Sequence, residues 1–172
     1  IDVDSGREAF GKRLGRFDRL AYSPDGSMVA VSHGGYTENP EGRIDVYRVE
    51  DGAPVATMAG TIELPLSVLE FSADSKTVLA ASGPALETRE RDSLVAWAAA
   101  TGEEIRRLDR SGVIVGVGRI DGHEDVLVAD ESGTVTRWNP ATGQASPAST
   151  RRIKALTRLY RRSPGSNGRP EI

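Results

Sequence analysis

The chain has 172 residues, of which 38% are hydrophobic and 27% are charged, an ordinary balance for a globular protein that excludes disorder throughout. It has no cysteine, which excludes disulfides, thiolate metal sites and cysteine nucleophiles. The net charge of −3 is unevenly distributed, because residues 151–172 hold seven Lys or Arg and one acid, whereas residues 1–150 hold 15 bases and 24 acids. An acidic body is therefore followed by a basic tail.

The first clear element in chain order is a β-hairpin predicted in the stretch "FDRLAYSPDGSMVAVSHGG". Pro24 suits the second position of a type I turn, Asp25 suits the third, and Gly26 accepts the positive φ that closes such hairpins. The pattern returns 49 residues later in "VLEFSADSKTVLAASG", where Phe71 takes the place of Tyr22, and more weakly in "GRIDGHEDVLVAD". The hairpin is thus predicted to recur along the chain.

A second pattern places a large apolar residue five positions before a glycine, in "IDVDSG", "YRVEDG", "WAAATG" and "WNPATG". The residues before each large one alternate as in a strand, and the glycines fit the positive-φ position of a hairpin turn. The predicted turn glycines are Gly6, Gly26, Gly52, Gly102 and Gly143. The predicted structural core includes Tyr22, Tyr47, Phe71, Trp97 and Trp138.

The two patterns together define a period of about 40 to 50 residues with four strands in each, which is typical of a β-propeller blade. A continuous β-sandwich fits less well, because it does not need its turns at the same offset in successive units. The predicted fold class is all-β, a propeller segment of about three to four four-stranded antiparallel blades. A partial blade at 1–15 is followed by blades at about 16–60, 61–111 and 112–150. Because a propeller closes with about four to eight blades, we expect an incomplete ring that needs a longer chain or an oligomer.

These repeats resemble the WD40 family, and more broadly the divergent WD40-like and YVTN-like repeats of bacterial proteins. The match is best in "VLVADESGTVTRWNPATGQ", and the resemblance extends from residue 1 to about 146. The family's Trp-Asp pair is absent, since the chain reads Trp97-Ala98 and Trp138-Asn139 at these places. The buried hydrogen-bonded tetrad of the family is therefore not expected here.

The resemblance implies a non-catalytic scaffold that binds a protein partner. The connections between second and third strands are long in the first two blades, "HGGYTENPEG" and "GPALETRERD", but only "DESG" in the third. Such insertions lie on one face of a propeller. They are either partner-contacting loops or solvated loops without a partner. The candidate contact residues are Tyr36, Glu38, Asn39, Glu87, Arg89 and Arg91.

Nothing in the sequence indicates catalysis. The two histidines, His33 and His123, each lie beside a hairpin at non-equivalent positions, so they are interpreted as exposed loop residues. The charged residues around His123, including Asp125, are interpreted as solvated turn residues. No phosphate-binding loop is visible. We expect no enzyme activity, metal or cofactor. Two alternative hypotheses for the function stay open. The chain could be a sensor or regulatory domain of a bacterial signalling or redox protein, or a fragment of a propeller hydrolase whose site lies in other blades.

The tail, residues 151–172, contains "RRIKALTRLYRR" and then a Pro- and Gly-rich end. Three interpretations of this tail stay open: the first strand of a further blade, a short amphipathic helix and a disordered segment. Nucleic-acid binding is not favoured, because few aromatic residues interleave its basic ones. No apolar run approaches the roughly 18 to 20 residues that cross a bilayer. No signal peptide is visible, and the compartment stays undetermined with the cytoplasm slightly favoured.

Overall fold

A computed structural model describes residues 18–33, 42–59, 66–82, 92–110, 112–120 and 122–148. These residues form three four-stranded antiparallel sheets, in each of which the strands follow one another in chain order. Sheet 1 contains β1 (Leu20–Tyr22), β2 (Met28–His33), β3 (Arg43–Arg48) and β4 (Pro54–Ala59). Sheet 2 contains β5 (Leu66–Phe71), β6 (Thr77–Ser82), β7 (Asp92–Ala98) and β8 (Glu104–Arg110). Sheet 3 contains β9 (Ile114–Arg119), β10 (Val126–Asp130), β11 (Val135–Trp138) and β12 (Ala145–Pro147).

The predicted all-β fold class is confirmed, and the described part of the chain contains no helix. Each sheet is a run of hairpins, which is the pattern that a chain makes when every strand pairs with the strand next to it in sequence. The predicted partial blade at 1–15, the turn at Gly6 and the tail at 151–172 lie outside the described residues.

The first hairpin turn of each of the first two sheets is built by a serine and an aspartate. In sheet 1 the Ser23 hydroxyl donates to Asp25 Oδ1 at 2.6 Å and accepts the Met28 N–H at 2.9 Å. In sheet 2, Ser72 donates to Asp74 Oδ1 at 2.6 Å in the same way. Side chains of this type satisfy backbone donors that a tight turn leaves open. The repeated Ser-x-Asp sequence therefore produces the same turn twice.

The sheets pack face to face in chain order. One cluster joins sheets 1 and 2, with Ile44 and Met58 against Phe71 and Trp97. A second cluster joins sheets 2 and 3. The first strands also touch, β1 with β5 and β5 with β9, so they lie side by side along one edge of the stack. We call the side of a sheet that faces the preceding sheet its leading face, and the side that faces the following sheet its trailing face.

Positive φ angles occur at four of the turn glycines, Gly26 (73°), Gly52 (69°), Gly102 (75°) and Gly143 (77°). At Gly102 the absence of a side chain is required by close packing as well as by the positive φ. A Cβ atom built on it would lie 2.6 Å from the backbone oxygen of Thr57 in sheet 1. The turn between the third and fourth strands of sheet 2 therefore contacts the outer strand of sheet 1 closely, and only glycine leaves the room.

The aromatic residues predicted for the core do not all lie there. Tyr47, Phe71, Trp97 and Trp138 are buried, with 9%, 2%, 2% and 0% exposure. Tyr22 is 62% exposed, so its assignment to the core was wrong. Tyr22 and Phe71 occupy the same register in their sheets. Phe71 packs against sheet 1, whereas among the described residues no hydrophobic cluster joins the corresponding side of Tyr22 to another sheet.

Candidate interaction surfaces

Two faces of the stack lack a neighbouring sheet in the described part of the chain. Each internal interface joins the trailing face of one sheet to the leading face of the next. The leading face of sheet 1 and the trailing face of sheet 3 remain. A third, small cluster around Val29 and Val31 draws its described members from sheet 1 and the turn after β3. Val29, Val31 and Tyr47 are nevertheless only 7%, 0% and 9% exposed, so on the leading face of sheet 1 the solvent-exposed apolar part is limited to the inner strand.

The leading face of sheet 1 exposes large apolar side chains on its inner strand. Leu20 is 43% exposed and Tyr22 is 62% exposed. The residues in the same register of sheet 2 are Leu69 and Phe71, which are 7% and 2% exposed because sheet 1 covers them. Leu20 and Tyr22 therefore form a small exposed apolar patch on β1, which makes the inner strand a candidate contact surface.

The same face carries a buried carboxylate on β3. Asp45, only 6% exposed, lies two residues before Tyr47, a position held by Val95 in sheet 2. Its Oδ1 accepts from the Thr57 hydroxyl at 2.8 Å, and its Oδ2 accepts from Arg43 Nε at 3.0 Å and from the Tyr47 hydroxyl at 3.2 Å. These donors offset the cost of burying the charge. Burial, together with the Asp45 carboxylate, raises the pKa of Tyr47.

His33 belongs to this network, which corrects its interpretation as an exposed loop residue. It is 8% exposed, and its Nε2 lies 3.4 Å from Asp45 Oδ2 without making a hydrogen bond. The reason is that β2 extends through His33, which pairs with Arg43 and so shares a face with Val31. A cavity of about 290 Å³ opens beside this network, with Arg43, Asp45 and Thr57 in its wall.

The trailing face of sheet 3 carries the second polar network. Arg137 lies one residue before Trp138, where sheet 2 has the fully buried Ala96. Its guanidinium forms an ion pair with Asp125, whose other oxygen accepts from Asn139 Nδ2 at 2.6 Å. The hydrogen bonds from Asn139 and Arg137 hold the pKa of Asp125 below its usual value. Asp125 is therefore part of a defined network rather than an ordinary solvated turn residue.

A signal for both networks was present in the sequence. Asp45 and Arg137 stand at positions that alternation assigns to the interior of a sheet stack, beside aromatic residues at the ends of β3 and β11. A charged residue at such a position indicates either a buried network or a face without an apolar neighbour. In the structure, Asp45 lies in a buried network, and Arg137 lies on a face where its side chain is 43% exposed.

The predicted partner-contact residues lie outside the described residues, namely Tyr36, Glu38, Asn39, Glu87, Arg89 and Arg91. The strands that bound them are described. Nine residues separate β2 from β3, nine separate β6 from β7, and only four separate β10 from β11. Because sheets 1 and 2 pack with their strands in the same order, both long connections leave from the same end of the stack.

That end of the stack is also where sheets 1 and 2 are tied together by polar contacts. The Leu66 N–H donates to Asp18 Oδ2 at 2.8 Å, and Arg19 donates to the Leu66 carbonyl. These bonds join the start of β1 to the start of β5, beside the ends of β2 and β6. The two long connections therefore begin from strands that are fixed relative to each other.

Two kinds of feature are absent from the ranges that the structure describes: a metal-binding cluster and a membrane-spanning helix. Within them, no three His, Cys, Asp or Glu side chains come together in a way that could hold a metal ion. Nor do these ranges contain a helix with the length and apolar character needed to cross a membrane.

The geometry of stacked four-stranded hairpin sheets, with first strands along one edge, is that of a β-propeller, and solved propeller structures match it. Neither a protein-family model nor a curated protein matches the sequence. The C-terminal WD40 domain of Sif2 matches with a TM-score of 0.54 and 16% identity, over 78% of this chain and 38% of that one. The β-propeller domain of Cps50 (Swd1) from Myceliophteria thermophila matches with a TM-score of 0.59 and 12% identity, over 80% of this chain and 39% of that one. The computationally designed Ika4 protein matches with a TM-score of 0.60 and 18% identity, over 84% of this chain and 79% of that one.

The resemblance predicted from the sequence is thereby confirmed at the level of fold. The three sheets are successive blades of a β-propeller fold, similar to the fold of the WD40 domain of Sif2 and the propeller domain of Cps50. The chain spans less than two fifths of the length of both natural propeller domains, consistent with a partial propeller.

Proposed function

We propose that this chain is a non-catalytic propeller module that binds a protein partner through the end from which the β2–β3 and β6–β7 connections leave. One observation carries the proposal: two connections of nine residues each start from adjacent, mutually fixed sheets and leave at the same end. Two neighbouring loops on a rigid scaffold form a larger contact area than either loop alone. The propeller fold supports the proposal, because it presents such loops without requiring them for its core.

The composition of the two connections suits a protein surface. The first contains Tyr36 with Glu38 and Asn39, and the second contains Glu87, Arg89 and Glu90. Tyrosine and arginine contribute disproportionately to protein interfaces, while charges of both signs select a partner with the complementary pattern. We therefore expect a folded or extended protein partner with a mixed-charge surface.

Site-specific photo-crosslinking tests this proposal. A photoreactive phenylalanine analogue placed at Tyr36, and separately at Arg89, should crosslink to one and the same protein from the native cell extract. The matched control is Ile105 in β8, a large apolar residue that is 40% exposed on the outer strand of sheet 2. No adduct at either loop position, or an identical adduct at Ile105, would overturn the proposal.

The adduct also supplies the quantitative test. With the identified partner purified, Tyr36→Ala and Arg89→Ala should each weaken binding by about tenfold or more, as truncation of central interface residues does. The Ile105→Ala variant should bind with unchanged affinity. Loop variants that bind as tightly as the original chain would show that the partner contacts another surface.

A further inference from the structure

The outer strand of each sheet has one edge that pairs with no described strand, and these edges differ in how well they can accept another strand. The outer strands are β4, β8 and β12. β4 begins at Pro54, which has no N–H to donate, and β12 has three residues and ends at Pro147. β8 has seven residues and no proline. A long edge without proline offers a row of backbone donors and acceptors to a strand of another chain.

The neighbouring sheet contacts β4 and β8 in different ways. A Cβ atom on Gly102 of sheet 2 would lie 2.6 Å from the backbone oxygen of Thr57 in β4. The equivalent glycine of sheet 3, Gly143, lies against a side chain of β8 instead, because the Arg106 Cδ is 3.2 Å from the corresponding Cβ position. At this turn, therefore, sheet 3 contacts a side chain of β8 and leaves the backbone edge of the strand accessible.

β8 is both exposed and held in place. None of its seven side chains is buried, and only Leu108 and Arg110 are partly buried. Leu108 packs against the cluster that joins sheets 2 and 3, and Arg110 donates to Asp130 Oδ2 at 3.2 Å. The Arg106 guanidinium donates to the Ala141 carbonyl at 3.4 Å. An edge that is already fixed in the strand conformation loses less conformational entropy when it pairs.

The sequence of β8 is complementary to itself when two copies run antiparallel. From Arg106 to Arg110, β8 pairs with β7 without a register shift, so this part is a regular strand. If two copies pair about Leu108, Arg107 lies opposite Asp109 at two symmetric places, and Leu108 lies opposite Leu108. Opposite charges and apolar pairs directly across antiparallel strands stabilise a sheet. The like-charge pair of Arg106 with Arg110 is weakened, because the ion pair with sheet 3 offsets the charge of Arg110.

We propose that β8 pairs antiparallel with β8 of a second copy of this chain, about a two-fold axis at Leu108. The two four-stranded sheets then form one continuous sheet across both copies. Such a contact is isologous, because each copy uses the same surface, so it closes at a dimer. This surface is separate from the two loops of the proposed function, and neither proposal depends on the other.

Sedimentation velocity of the full 172-residue chain over a wide concentration range is the test, and the original chain should show a monomer–dimer equilibrium. Arg107→Asp and Asp109→Arg should each raise the dissociation constant by about tenfold or more, because each places like charges opposite one another at two symmetric positions. Both side chains are exposed, and far-UV circular dichroism verifies folding. If Arg107→Asp does not fold, Arg107→Gln replaces it, because it removes the attraction without adding a charge.

The matched controls reverse the charges of another exposed ion pair. Arg48 and Asp51 form this pair at the turn between β3 and β4, with side chains that are 52% and 49% exposed. Arg48→Asp and Asp51→Arg therefore make the same two changes of charge in sheet 1, outside β8. Both controls should dimerise with the dissociation constant of the original chain.

Mixing the two β8 variants separates this contact from any other. In a 1:1 mixture, the variant with acids at both positions meets the variant with bases at both, so opposite charges again face each other at both places. The mixture should form a heterodimer about as tightly as the original chain dimerises, although each variant alone associates weakly. A mixture that stays monomeric overturns the proposal. So does an original chain that is monomeric at every concentration, or a dimer that neither charge reversal weakens.

Discussion

Replacing Phe71 by alanine should destabilise the protein far more than replacing Tyr22 by alanine, although the two residues occupy the same register in neighbouring sheets. Phe71 is 2% exposed and packs among Ile44, Met58 and Trp97. Its truncation removes buried apolar surface and leaves a cavity, which together cost about 3 to 5 kcal/mol. Tyr22 is 62% exposed, so its truncation should cost less than about 1 kcal/mol.

Urea unfolding followed by tryptophan fluorescence measures this difference, because Trp97 and Trp138 are buried in two different interfaces. With a slope of about 2 kcal/mol/M, a loss of about 4 kcal/mol moves the midpoint by about 2 M, whereas Tyr22→Ala should move it by less than about 0.5 M. Both variants are compared at one low protein concentration.

Two results would refute the reasoning. Equal midpoint shifts for the two variants would mean that the folded molecule covers Tyr22 as completely as it covers Phe71. A small shift for Phe71→Ala would mean that sheets 1 and 2 do not share a packed core.

Three other outcomes follow from the packing and the turns. Trp138→Ala should lower the free energy of unfolding by about 3 to 5 kcal/mol, because the indole is fully buried between sheets 2 and 3. An unchanged urea midpoint would contradict its place in the core. Gly102→Ala should lower the melting temperature more than Gly26→Ala. Both glycines have a positive φ, but only at Gly102 would a Cβ atom lie 2.6 Å from the Thr57 carbonyl oxygen. Equal losses of melting temperature would show that sheets 1 and 2 are not in such close contact. Hydrogen bonds from Ser23 and Ser27 lower the pKa of Asp25 from 3.8 to about 2, so its contribution to stability should be present above pH 4 and disappear as the pH falls towards 2. Urea titrations of Asp25→Asn across this range should converge with those of the original chain near pH 2, and a difference that persists there would exclude the carboxylate as its source.

The repeats allowed the fold to be predicted because propeller blades are assembled from local rules. The Ser-x-Asp turn is made by atoms within a few residues of each other, as the bonds around Ser23 and Ser72 show. Hairpin pairing then follows from the short distance between successive strands. Neither step needs information from a distant part of the chain.

One turn shows where local reasoning stopped. Ser75 stands in the register of Gly26 and has a φ of 64°, unusual for a residue with a side chain. Its hydroxyl accepts the N–H of Asp25 in sheet 1 at 3.2 Å, so it links the turns of neighbouring sheets. The reason for a serine at this position is visible only when the two sheets are side by side.

The candidate surfaces were harder to predict than the fold. The loops around Tyr36 and Arg89 were identified from their length, and their role in partner binding remains a proposal. The exposure of Leu20 and Arg137 was not identified either, because whether a strand residue faces solvent depends on what lies against its sheet. His33 was misinterpreted for a related reason, since only its pairing with Arg43 places it inside β2.

The amino-acid sequence by itself determined the period, the four strands in each unit and the hairpin turns, because these depend on residue spacing and on contacts between neighbours in the chain. Tertiary structure alone decided which side of each sheet is covered. Tyr22 and Phe71 follow the same local pattern, yet one is exposed and the other is buried. The physical reason is that burial is a property of the stack: Phe71 has the apolar face of sheet 1 against it, and that face comes from residues far away in the sequence.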